Sequence, residues 1–117
     1  MRLKVRAEDS LSLIACAGIG MLQAIRDGKL STTAGIATLG RPRSWEALVQ
    51  QGGLAKEIGD VFQSFDELAA LEKLSPGAVH ECIAALIVRL ESALGKLDSP
   101  SWEVTWDGAT ASRRSRT

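Results

Sequence analysis

The chain has 117 residues, 45% hydrophobic and 24% charged, and its 14 basic and 14 acidic side chains cancel. That length fits one domain, large enough to bury a core without metal or disulfide staples. Three Trp, two Phe and no Tyr leave an aliphatic core of Leu, Ile, Val and Ala, which favours helices packed on helices.

Residues 2–6, Arg-Leu-Lys-Val-Arg, alternate polar and apolar as a short strand does. A first helix is predicted over residues 10–27, with Asp9 or Ser10 as N-cap and Gly28 as its stop. Leu11, Ile14, Gly18, Leu22 and Ile25 share one side, while Leu13, Ala17 and Met21 add apolar groups elsewhere. A helix apolar nearly all round is expected at the centre of its bundle. The sequence Leu13-Ile14-Ala15-Cys16 resembles a lipoprotein cleavage box. Glu8 and Asp9 interrupt its approach, leaving an apolar stretch shorter than the ~7–15 residues of a signal core. The expected location is therefore the cytoplasm, with no membrane partner. Cys16 and Cys82 read as reduced core thiols, with a disulfide between the first and last long helices as the alternative.

A short helix is predicted over residues 31–39, capped by Ser31 and ended by Gly40 and Pro42. Ser44 is placed to cap the next, over residues 45–51, closed by Gly52-Gly53. The chain reads helical again from Leu54, with a break near Ser64, where Ser64-Phe-Asp-Glu67 fits a capping box. The helix beyond it reaches Leu74. Ser75-Pro76 then starts the last helix, to about Leu97, through a capping hydroxyl and a first-turn proline. Val79, Ile83, Leu86, Leu90, Leu94 and Leu97 make its stripe. Trp102–Trp106 alternates again and is the natural partner for residues 2–6. The predicted fold is thus an all-α bundle of about five helices, with a short two-stranded pairing of the terminal segments. Residues 1–108 form the domain, and residues 109–117 read as a flexible basic tail.

Catalytic signals are weak. His80 is the only histidine and reads as a boundary or surface residue, with a small His80-dependent enzyme as a lesser alternative. One His and two distant Cys supply no metal-ligand spacing, so no metal or other cofactor is expected. Gly18-Ile-Gly20 begins like a dinucleotide fingerprint, but Gln23 stands at the third glycine position. It reads instead as close helix packing. Arg41, Arg43 and Trp45 form a small basic loop, and Arg113, Arg114 and Arg116 a basic tail. With a pI near 6.6, direct nucleic-acid binding is not expected.

The zero net charge hides segregation. Residues 57–107 hold ten acids against three bases, a net −7, while residues 1–56 carry eight bases and four acids, a net +4. Residues 108–117 add three arginines. Such separation points to an oriented partner. Asp60, Asp66, Glu67 and Glu72 cluster around Phe62 and Phe65, which are the expected apolar anchors of an acidic contact face.

The run Asp27-Gly-Lys-Leu-Ser31 after an apolar helix, followed by a Gly/Pro break and Glu67-Leu-Ala-Ala-Leu-Glu-Lys-Leu-Ser-Pro76, resembles a family of small helical bacterial proteins. Members of that family look like immunity proteins beside polymorphic or contact-dependent toxins. The resemblance covers about residues 10–97 and carries over Glu67 and Glu72. Ala69 and Ala70 stand where the family tends to carry further acids, and Asp60 and Asp66 come from the charge pattern. It implies a non-enzymatic protein that binds a cognate toxin domain, a basic nuclease by charge complementarity. The alternative is a helical adaptor or regulatory subunit of another complex.

Overall fold

Small residues decide where the helices cross. The computed structural model describes residues 2–5, 9–97 and 104–107, which form β1 (Arg2–Val5), α1 (Ser10–Arg26), α2 (Thr32–Thr38), α3 (Pro42–Gln51), α4 (Gly53–Gln63), α5 (Phe65–Leu74), α6 (Pro76–Lys96) and β2 (Val104–Asp107). The fold is an all-α bundle, as the sequence predicts. The terminal strands pair antiparallel in the register Arg2↔Asp107, Leu3↔Trp106, Lys4↔Thr105 and Val5↔Val104. Trp102 and the expected tail, residues 109–117, lie outside the described residues.

α1 begins after Asp9 and ends at Arg26, where the Gly28 amide donates to the Ile25 carbonyl and the Lys29 amide to that of Ala24. Its buried line is Ser12, Ala15, Gly18, Leu22 and Ile25. Leu11 and Ile14, expected on that line, are only half-buried. The reason is close approach. A methyl group placed on Gly18 would come within 2.7 Å of Phe62 Cε1 and 2.9 Å of Leu90 Cδ1. Up to Gly18 the buried side chains are short, and Leu22 and Ile25 fill the core beyond it. α1 is not buried all round, because Cys16, Ala17, Gly20 and Gln23 are exposed. The helix that packs on α1, α4 and α5 together is α6. It buries Val79, Ile83, Leu86, Ile87, Leu90 and Ala93, while Leu94 and Leu97 lie at the core's edge.

The capping predictions divide. The Ser31 hydroxyl accepts from the Ala34 amide at 3.0 Å and caps α2. α3 starts three residues earlier than expected, with Pro42 in its first turn. Ser44 therefore lies inside the helix, and its hydroxyl donates to the Thr38 carbonyl at 2.7 Å. The chain does break at Ser64, but not by a capping box. The Ser64 backbone is in the helical region, and its hydroxyl donates to the Asp60 carbonyl at 3.0 Å, closing α4 rather than opening α5. α6 starts at Pro76 without a side-chain cap from Ser75. Between α3 and α4, Gly52 and Gly53 take φ of +74° and +58°, a corner that side-chain-bearing residues rarely adopt. It lets α3 fold back on α4, where Gly59 meets Leu48 and Val49.

At the α4–α5 junction the Phe62 and Phe65 rings meet edge to face, with centroids 5.7 Å apart and planes at 67°. Both are fully buried in the core.

Gly18 and Gly20 make a paired test of this packing. Gly18→Ala is expected to destabilise by about 1–3 kcal/mol through overpacking. Gly20→Ala, with nothing within 4 Å of the added methyl, is expected to be neutral or to stabilise by up to ~1 kcal/mol. Urea denaturation of the two variants checks the contrast.

Candidate functional site

The two rings proposed as contact anchors are core residues. Phe62 and Phe65 are each 0% exposed, because the α4–α5 bend turns both inward beneath α1 and α2. Phe62 lies against Gly18 and Phe65 against Gly35 and Gly40. They position the surface above them without touching a partner.

The four carboxylates do reach the surface, on different sides. Asp60 is on the outer side of α4, where Lys56 Nζ lies 2.8 Å from its Oδ2, an i,i+4 pair on one helix. Such exposed pairs contribute little to stability. Asp66 and Glu67 occupy the first turn of α5, where negative charge suits the helix N-terminus. Both are exposed, but consecutive positions on a helix diverge by about 100°. Glu72 is turned toward α2. Its Oε1 accepts a 2.8 Å hydrogen bond from the Thr32 hydroxyl, and Thr32 is buried in the first turn of α2. Glu72 therefore ties α5 to α2 and is less available to a partner than Asp66 or Glu67.

An apolar group absent from the expected site is at the surface. Leu74, the last residue of α5, is 83% exposed. It lies seven residues after Glu67, and Ala70 between them is also exposed, so the three share one side of the helix. Leu74 stands just before Ser75-Pro76, where its helix must end. That position is the signal that could have identified it as a surface leucine.

The basic residues of the short-helix region are not a loop. Arg41 sits at the N-cap of α3 and Arg43 in its first turn, while Trp45 Nε1 donates to the Gly40 carbonyl at 3.1 Å. That bond turns the indole onto its own chain and away from stacking on a base. His80 is exposed on α6. Cys16 and Cys82 are free thiols, so the disulfide alternative is not realised. Cys16 is exposed rather than in the core, and Cys82 is half-buried. Burial, and secondarily the nearby negative charge of Glu67, raise the Cys82 thiol pKa. Among the described residues no cluster of three His, Cys, Asp or Glu could hold a metal ion, and no helix is long and apolar enough to cross a membrane.

Beside α4 and α6 lies an open depression of about 390 Å³, lined by Glu57, Val88, Arg89, Ser92 and Lys96. It is shallow, and its walls bear both signs of charge.

In comparisons with protein-family models, curated proteins and solved structures, nothing matches this chain.

Two measurements follow from this geometry. A double-mutant cycle of Thr32→Val and Glu72→Ala should give a coupling of about 1 kcal/mol in chemical denaturation, the value of a partly solvated hydrogen bond to a charged group. Alkylation with iodoacetamide should label Cys16 well before Cys82, because the thiolate is the nucleophile and Cys82 is both shielded and harder to ionise. Peptide mapping of partly labelled protein reads the order.

Proposed function

We propose that the chain is a stoichiometric protein inhibitor, an immunity protein that binds and neutralises a cognate toxin domain without chemistry of its own. The observation that carries the reading is the segregated charge: a net −7 across residues 57–107, with Asp66 and Glu67 exposed on α5 and the exposed Leu74 two turns beyond Glu67. A nuclease must be basic where it holds phosphates. A partner with an ordered array of carboxylates can occupy that basic surface, and complementary potentials then speed encounter and reject other proteins. Leu74 supplies the apolar contact that the sequence pattern had assigned to Phe62 and Phe65. The resemblance of the 27–31 and 67–76 segments to immunity-like proteins supports the same reading, and on it the two unpaired thiols would sit in a reducing cytoplasm.

The contact surface on this reading is the outer side of α5, Asp66, Glu67 and Leu74, with Asp60 at its border on α4. Glu72 holds α2 in place beneath it. The adaptor alternative would place a different protein on the same surface.

Co-expression with the product of the adjacent reading frame tests the proposal. The expected result is rescue of growth, co-purification at 1:1 stoichiometry, and an association rate that falls steeply with salt. Combined Asp60→Lys, Asp66→Lys and Glu67→Lys substitutions should weaken binding by at least about a hundredfold, since each like-charge contact opposes the complex. The fold should persist by circular dichroism. Unchanged affinity in that variant would remove α5 as the contact surface.

A further inference from the structure

The outward side of α6 carries a pattern that neither the core nor the acidic surface uses. Ala85, Val88, Ser92 and Gly95 recur at steps of three, four and three residues, and all four are exposed. That spacing is the one on which a and d residues repeat in a two-helix coil, here with small residues about a single valine, and the charged Glu81 one step earlier ends the row. Val88 lies at its centre and is 62% exposed, sharing with Leu74 the status of large apolar side chains left at the surface among the described residues.

On α6 itself the charges flanking the seam are sorted by sign, with Glu57 of α4 across the depression from the basic flank. On one flank stand Arg89 and Lys96, which line the depression beside α4. On the other stands Glu91, also exposed. Among the described residues none of these three is in an ion pair, whereas Lys56 and Asp60 are. With Val88 at a d position of the heptad, Ala85 and Ser92 are a positions, Glu91 is a g position and Lys96 the next e position. In a parallel pair of such helices each g residue faces the following e residue of the other helix, and these flanking charges set partner and orientation. An antiparallel pair would instead set Arg89 and Lys96 against their own copies.

We propose that α6 packs in parallel against α6 of a second copy of this chain across a two-fold axis. Val88 meets Val88 of the partner subunit, and each Glu91 pairs with Lys96 of the partner subunit. The surface is self-complementary, as a two-fold contact requires. Ala85, Ser92 and Gly95 let the two backbones approach closely, and the open depression leaves the Lys96 side chain room to turn toward its partner. A seam on one helix is smaller than the ~1,600 Å² of a standard interface, so the dimer forms in the micromolar range rather than the nanomolar. The proposal is independent of the α5 contact surface, and either can fail without the other.

Sedimentation equilibrium of the full chain over a wide concentration range is the test. The expected result is a reversible dimer, abolished in Val88→Glu at unchanged circular dichroism. Glu91→Lys and Lys96→Glu should each weaken it by about tenfold, because two exposed pairs turn repulsive at once. The combined Glu91→Lys/Lys96→Glu variant should restore it. A Ser92→Cys variant in a Cys16→Ser background should form a disulfide dimer on mild oxidation, since facing a positions fall within the ~4.4–6.8 Å Cα separation that a disulfide spans. The Cys16→Ser chain alone is the control for Cys82. Failure of the double swap to restore association, or absence of the cross-link, overturns the parallel seam. A chain that stays monomeric at every concentration overturns the dimer itself, whether the seam is covered by residues 98–117 or by a different protein.

Discussion

The structure depends on one aromatic contact at a bend. Phe62 ends the buried line of α4, Phe65 begins α5, and their rings meet edge to face with no exposure to solvent. Such a pair contributes about 0.5–1.5 kcal/mol beyond the area it buries. Its larger effect is directional. Because both rings must point inward, α4 and α5 are held at a fixed angle over α6. Glycines make room for the rings: Gly18 on α1 against Phe62, and Gly35 and Gly40 around α2 against Phe65. A chain with only two phenylalanines spends both at this point.

The placement of charge follows from that bend. With Phe65 and Leu68 facing the core, Asp66 and Glu67 are carried outward about 100° apart on the exposed side of α5, and Glu72 comes round toward α2. There Thr32 sits at the first turn of a seven-residue helix with little core of its own, and its bond to Glu72 is one of the few side-chain ties between α2 and the bundle. The carboxylates of residues 57–107 are thus not equivalent. Asp66 and Glu67 are exposed, Asp60 pairs with Lys56 within α4, and Glu72 ties α5 to α2.

Charge and exposure also divide the surface into two regions. The α5 side is acidic at its first turn, with Lys73 and the exposed Leu74 at its last. The α6 side has a small-residue seam with positive and negative flanks. Both regions can be occupied together, because α5 packs on a side of α6 other than the one bearing Val88.

Much of this was legible in the sequence, because it rests on local physics. Helical periodicity, Pro at a first turn, Gly at a stop and alternation in the terminal segments are properties of neighbouring residues. They located every helix to within a few residues and anticipated the pairing of Arg2–Val5 with Val104–Asp107. Capping was less legible. A serine at the right offset has several carbonyls and amides within reach, and the backbone angle at the break decides among them. Ser31 took the cap, while Ser64 bonded backward to Asp60. Composition alone likewise determined that residues 57–107 would be acidic and that the core would be aliphatic apart from the two phenylalanines. Only the tertiary structure decided which apolar groups face inward. Phe62, Phe65 and Leu74 are all large apolar residues of the acidic stretch, yet the packing of α4 and α5 on their neighbours buried the first two and left the third in water. That choice depends on where other helices lie, which no local pattern in this chain encodes.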